Sequence, residues 1–384
     1  MIPYGRQDIS GEDIAAVVAV LQSNWLTQGP AVPRFEAAVA QRCGAEHGVA
    51  VNSATSALHL ACLALGLGPG DRLWTTSNTF VASANCARYC GAAVDFVDID
   101  PHTLNLSPSV LADKLEQAEK AGTLPKVVVP VHFAGQSCDM AAIRALADRY
   151  DFRIIEDASH AIGGRYQGQP IGNGRYADIT VFSFHPVKII TTGEGGMALT
   201  NDASLAERMT RLRSHGITRD AATQAAVGPW YYEQVELGFN YRLTDLQAAL
   251  GLSQLARLDT YVAARRRLAD RYDALLADLP LTTPWRDPAT ASAWHLYVVQ
   301  LNDAALARPG RRAVFEHLRA AGIGVNVHYI PVHLQPDYRR LGFAPGDCPV
   351  AEDYYARAIT LPLYPTLSDA EQDQVVAALC EALA

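Results

Sequence analysis

From about residue 48 to residue 200, short apolar runs alternate with longer segments whose apolar residues recur at helical spacing. The runs are Val49–Val51, Arg72–Thr75, Val94–Val97, Val127–His132, Arg153–Glu156, Ile179–Phe182 and Met197–Thr200. Several are continuous Val and Ile rather than strictly alternating, the pattern of strands buried on both faces. Between them, Ala54–Leu67 and Met140–Tyr150 carry apolar residues three and four apart. The alternation predicts an α/β fold around a mostly parallel sheet of seven strands. Ligands of such sheets sit beyond the carboxyl ends of the strands, so the residues just after each run matter most for chemistry.

The pattern then changes. Thr244 to Leu279 reads as one long helix, opened by the capping-box spacing Thr244-x-x-Gln247 and interrupted by a single glycine, Gly251. WHLYVVQL (294–301) predicts a strand, Arg311–Ala321 a helix and GVNVHY (324–329) another strand, while Ser368-x-x-Glu371 opens a last helix. This divides the chain into a large α/β domain over 1–255 and a smaller α+β domain over 256–384. The Arg265–Arg267 run reads as a solvated helix face.

Composition narrows the function. The net charge is −8, which leaves no basic surplus for nucleic acid. Hydrophobic residues make up 49%, which excludes a largely disordered chain. No stretch of about 18 apolar residues predicts a membrane span, and Asp8, Glu12 and Asp13 interrupt any leader-like run at the start. The seven cysteines contain no CxxC, which argues against both a disulfide scaffold and a metal site. Cys86 and Cys90, four apart, read as packing. These features fit a cytoplasmic protein.

Lysine is rare, and that makes one lysine conspicuous. There are four, Lys114, Lys120, Lys126 and Lys188, against 28 arginines. Three of them lie in the polar stretch 113–126, whereas Lys188, in SFHPVKIITTGEGG, is flanked by Pro186, Val187, Ile189 and Ile190. A lysine in a dry pocket has a lowered pKa and attacks carbonyls to form a Schiff base; the alternative is a structural lysine paired with Glu194. Asp157 closes the run RIIED, where it serves either as a helix cap or as the carboxylate that keeps a pyridinium nitrogen protonated. NSATSALHL (52–60) places Ser53, Thr55 and Ser56 at a helix start, a terminus that binds phosphate or is simply capped. Phe80 is either a core residue or a face for a flat ring, His160 either a satisfied buried histidine or the cover of the ring's other face, and Ser183 offers a hydroxyl to phosphate. The set points to pyridoxal 5′-phosphate.

The segments NSATSALHL, NTFVASAN, IIEDASHAIGG, SFHPVKIITTGEGG, ELGFNYRLTD and VHYIPVH follow one another over almost the whole chain. Together they resemble the DegT/DnrJ/EryC1/StrS sugar aminotransferases, of the fold-type I pyridoxal-phosphate enzymes. MIPYGRQDIS, SNWLTQGP and HFAGQSCDM further resemble the branch that aminates UDP-2-acetamido-2,6-dideoxy-β-L-arabino-hex-4-ulose at C4, in pseudaminic acid biosynthesis. The resemblance implies that Lys188 carries the cofactor and shuttles a proton, with Asp157 at the pyridine nitrogen and Phe80 stacked on the ring. It places His160, where many relatives have glutamine, near the ring hydroxyl. Ala54, Thr55 and Ser183 would hold the phosphate, joined by Asn240 from the other subunit of a homodimer with shared sites. L-Glutamate would be the donor, leaving as 2-oxoglutarate. The sugar nucleotide would meet Tyr4, Asn24, Trp25, Leu26, Thr27, Asn326, Val327, His328 and Tyr329. Three rivals fare worse: a dehydratase would replace the lysine by histidine, a non-enzymatic regulator would lose Lys188 or Asp157, and an aldolase-type lyase has no use for the sugar-nucleotide segments. Another 4-keto sugar nucleotide remains open as acceptor.

Overall fold

The seven apolar runs become the seven strands of one sheet: β1 (His47–Val51), β2 (Arg72–Thr76), β3 (Ala93–Val97), β4 (Val127–Val129), β5 (Arg153–Asp157), β6 (Ile179–Ser183) and β7 (Gly196–Thr200). The computed structural model describes residues 1–384. Across the sheet the order is β1-β7-β6-β5-β4-β2-β3. β7 runs antiparallel to both neighbours, and the other paired strands run parallel. β4 ends at Val129, three residues short of the expected His132, at Pro130, which has no N–H to give to the ladder; beyond it only Val131 bridges to Asp157.

Burial explains the unbroken Val and Ile. Val127 and Val129 pack into one core with helices Ala54–Ala64 and Ala82–Tyr89. Val128, between them, packs into another on the opposite face with helices Pro108–Ala121 and Met140–Tyr150. Period-2 alternation vanishes when both faces are dry.

A second unit is built on a small antiparallel sheet with β9 (Tyr297–Leu301) between β8 (Leu281–Thr282) and β10 (Ala358–Leu361). Its core gathers residues of helices Leu258–Leu275, Arg311–Ala320 and Asp369–Leu383, and the chain start joins it through Ile2.

Three expectations change. Thr244–Leu279 is two helices, Asp245–Leu255 and Leu258–Leu275. The capping box of Thr244 and Gln247 forms as expected. The break falls where side chains anchor the helix to the N-terminal segment: Gln254 donates to Asp8 O and to Asp13, and Arg257 reaches Ser10 and Asp13. GVNVHY is not a strand; only Asn326 pairs, with Thr360, and the following side chains turn into a cavity. Arg265 is not solvated: it is fully buried, and its Nη1 donates to the carbonyls of Trp294, His295 and Leu363. Arg266 and Arg267 are exposed, as the sequence suggested.

Gly251 shows why one glycine interrupts the first of these helices. A Cβ there would lie 2.6 Å from Phe35 Cζ and 2.7 Å from Thr192 Cγ2. Phe35 is fully buried and cannot withdraw. Alanine would add about 1 kcal/mol of helix propensity but overpack the site by about 1–3 kcal/mol. Gly251→Ala is therefore expected to lower stability by about 1 kcal/mol in urea unfolding; a stabilised variant would contradict the contact.

Candidate active site

The carboxyl ends of β1, β5 and β6, together with the residues following β2, converge on a cavity of about 1000 Å³. β7 is antiparallel, so its amino end lies at the same edge, and its first residue, Gly196, pairs with Val51 on one side and Ser183 on the other. A Cβ on Gly196 would stand 2.5 Å from Ala54 N. Only glycine lets this strand approach the backbone at the start of helix Ala54–Ala64. Ser53 caps that helix, its hydroxyl accepting Ser56 N–H at 3.1 Å, while Ser56 Oγ donates to Asn52 Oδ1 at 2.6 Å. Ala54 and Thr55 border the cavity, so the positive end of the helix faces it.

Asp157 ends β5 and is 5% exposed. Its Oδ2 accepts from Ser83 at 2.6 Å, its Oδ1 accepts from Ser159 N at 3.1 Å, and Ser83 is itself bonded to Thr79 Oγ1 at 2.8 Å. Two donors hold the carboxylate in one orientation. Lys188 lines the same cavity and is not paired with Glu194, whose carboxylate lies 3.9 Å from His185. Burial lowers the Lys188 amine from 10.5 to about 8, against the pull of Asp157. Burial also pushes His160 well below the usual imidazole range, with the lysine charge adding to it, and takes His328 down to about 3. Phe80 leaves 59% of its surface open in the cavity wall.

The cavity thus gathers Tyr4, Ala54, Thr55, Phe80, Asp157, His160, Ser183, Lys188, Asn326, Val327, His328 and Tyr329. It does not include Asn24, Trp25, Leu26, Thr27 or Asn240, which are exposed on the surface of the chain. Ser83, Gly196 and His295 complete the site without having been singled out. Ser83 sits inside NTFVASAN, but a serine on a helix carries no local sign of the distant carboxylate it meets.

A model of the DegT/DnrJ/EryC1/StrS aminotransferase family matches residues 7–380. The chain belongs to that family. It is 42% identical to the spore coat polysaccharide biosynthesis protein SpsC of Bacillus subtilis over 381 residues, 98% of this chain and 96% of that protein. Among solved structures, the putative sugar aminotransferase Spr1654 of Streptococcus pneumoniae in its PMP-form superposes with a TM-score of 0.92 at 33% identity, covering 100% of this chain and 99% of that one. Helicobacter pylori PseC, an aminotransferase of pseudoaminic acid biosynthesis, gives 0.90 at 32% identity with the same coverage. Spr1654 is also known in a PLP-form. The protein is a pyridoxal-phosphate-dependent aminotransferase of the fold-type I architecture.

The residues present fit that cofactor. The helix terminus approached by Gly196 suits a phosphate, the oriented Asp157 carboxylate suits a protonated ring nitrogen, and Lys188 supplies an amine. No helix is long and apolar enough to cross a membrane.

The Lys188 pKa has a kinetic consequence. Only the neutral amine attacks a carbonyl, so cofactor capture by the apoprotein is expected to rise about tenfold per unit between pH 6 and 7. It should level off once pH passes the lysine pKa of about 8. The growth of the visible band after mixing measures it; a rate still climbing at pH 10 would mean the lysine is not desolvated.

Proposed function

We propose that the chain transfers the amino group of L-glutamate to C4 of a UDP-linked 4-keto-6-deoxy sugar. The acceptor in this reading is UDP-2-acetamido-2,6-dideoxy-β-L-arabino-hex-4-ulose, on the route to pseudaminic acid. The observation that carries the reading is one cavity holding a desolvated lysine, an oriented carboxylate and a helix terminus, with further polar wall at Tyr4, Asn326 and His328. A cavity of about 1000 Å³ accommodates a large second ligand. The likeness to PseC supports the pathway. The 42% identity to SpsC, a polysaccharide protein by name, supports a second reading, another 4-keto sugar nucleotide.

Pyridoxal phosphate, when bound, supplies an electron sink for charge developing on carbon. The chain does the rest. Lys188 would hold the cofactor through its amine and, when free, would carry a proton from the donor's α-carbon on its Nζ. Asp157 would keep the ring nitrogen protonated. The amides of Ala54 and Thr55 and the hydroxyl of Ser183 would hold the phosphate, with Phe80 against the ring and His160 near the ring hydroxyl.

We further propose that the active unit is a homodimer with shared sites. No arginine lines the cavity of one chain, although glutamate and a nucleotide diphosphate are both anionic. Trp25, Leu26, Trp230 and Leu237 are 56%, 49%, 75% and 79% exposed, an unusual display of large apolar groups. A second copy would cover them and bring Asn240 to its neighbour's phosphate and Asn24–Thr27 to the sugar nucleotide.

The absorbance of the purified holoprotein tests the donor. A band near roughly 410–430 nm should fall on adding L-glutamate while one near roughly 330 nm grows; a band indifferent to glutamate would remove it as donor. Lys188→Ala is expected to abolish turnover. Asp157→Asn should keep the cofactor bound and lower kcat by about 10²–10³-fold; an unchanged kcat would remove Asp157 from its role.

A further inference from the structure

Two non-glycine residues with left-handed backbone meet beside the cavity: Ala134, φ 58°, from the large unit, and Trp294, φ 54°, from the small one. Such residues are strained and persist only where the surroundings enforce them. Here the two segments are locked together. His295 N donates to Ala134 O at 2.9 Å, and a Cβ on Gly135 would lie 2.8 Å from Trp294 N. Arg265 ties down the carbonyls of Trp294 and His295 from behind.

What this arrangement aims is one N–H. Ala134 N donates to His160 Nδ1 at 3.2 Å. A donor at Nδ1 forbids a proton there, so the neutral ring carries its hydrogen on Nε2. Nε2 faces Tyr329 Oη at 3.2 Å, so the phenol oxygen accepts that hydrogen. Tyr329 lines the cavity, and its own hydroxyl hydrogen meets no acceptor in the chain. Phe133 and Phe80 flank the ring at 6.2 and 6.4 Å. Burial raises the Tyr329 pKa, so the hydrogen stays on the oxygen.

Amination of a ketone needs such a donor. An amine nitrogen adds to the carbonyl carbon, the C–N bond forms, and the C–O bond breaks as the oxygen leaves. That oxygen departs as water with the two hydrogens the nitrogen gives up. We propose that Tyr329 is the acid of this step: it lends its hydroxyl hydrogen to the carbonyl oxygen of the keto substrate and recovers one from the nitrogen as water leaves. This rests on the aminotransferase reading of the cavity.

The test uses apoprotein loaded with pyridoxamine phosphate and mixed with 2-oxoglutarate, timing the return of the visible band. Tyr329→Phe is expected to slow the limiting rate about 10²–10³-fold. The apparent affinity for 2-oxoglutarate, the cofactor Kd and the melting temperature should stay at wild-type values, because the ring remains. A limiting rate within about threefold of wild type would overturn the proposal, being well under the contribution of an acid. A wild type inert to 2-oxoglutarate would refute glutamate as the donor instead; the same comparison is then read with the keto sugar nucleotide, where an unimpaired Tyr329→Phe again overturns it. His160→Gln keeps an oxygen for Ala134 N–H and an N–H for Tyr329, whereas His160→Leu keeps neither. The glutamine variant should retain most of the rate and the leucine variant should match Tyr329→Phe; equal losses would sink the relay.

Discussion

Asp157 is a carboxylate removed from water at the end of a buried strand, and a polar group in that position must be hydrogen-bonded. The chain satisfies it with donors rather than with an ion pair: Ser83 on one oxygen and the Ser159 amide on the other. Both donors are neutral, so the negative charge is left to act on whatever enters the cavity and on Lys188. The lysine feels burial more than it feels the carboxylate, which is why its amine comes down to about 8. An ammonium salt-bridged to a carboxylate would move the other way and lose its nucleophilicity. The weakened charge at Lys188 is thus a result of the dry environment, with the Asp157 carboxylate held beside it by two hydrogen bonds.

The sheet makes this environment by topology. Parallel strands deliver Asp157 and Ser183 to one edge, and the antiparallel β7 delivers Gly196 to the same edge from the opposite direction. The glycine matters there because backbone must approach backbone to bring the amides of the helix start close to the cavity. Helices on both faces keep the strands dry, so the strand ends are fixed by two cores at once.

The small unit contributes polarity more than shape. Its segment around Trp294 and His295 locks onto Ala134, and the lock determines which nitrogen of His160 bears hydrogen. The direction of hydrogen bonding through His160 to Tyr329 follows. The left-handed residues at the seam lie next to the cavity, held there by the contacts between the two units.

The strands were legible because double burial erases polar positions from a run, and Lys188 because it stands apart from the polar stretch 113–126 that holds the other lysines. Asp157 and the helix start after β1 were legible as strand-end positions, a rule of parallel sheets that needs no coordinates. The long helix after Thr244 was misread because its apolar period continues across the break; what stops it is Gln254 and Arg257 reaching residues about 240 positions away in the chain. Arg265 was misread for the same reason, since the carbonyls that bury it belong to Trp294, His295 and Leu363. The roles of Ser83, Gly196 and the His160 tautomer lay outside the reach of pattern altogether. Sequence by itself determined which segments are dry and which residue types end them, because those depend on local period and on the partition of side chains between water and core. Only the tertiary structure decided who donates to whom, because a hydrogen bond is a relation between residues that the chain keeps far apart until it folds.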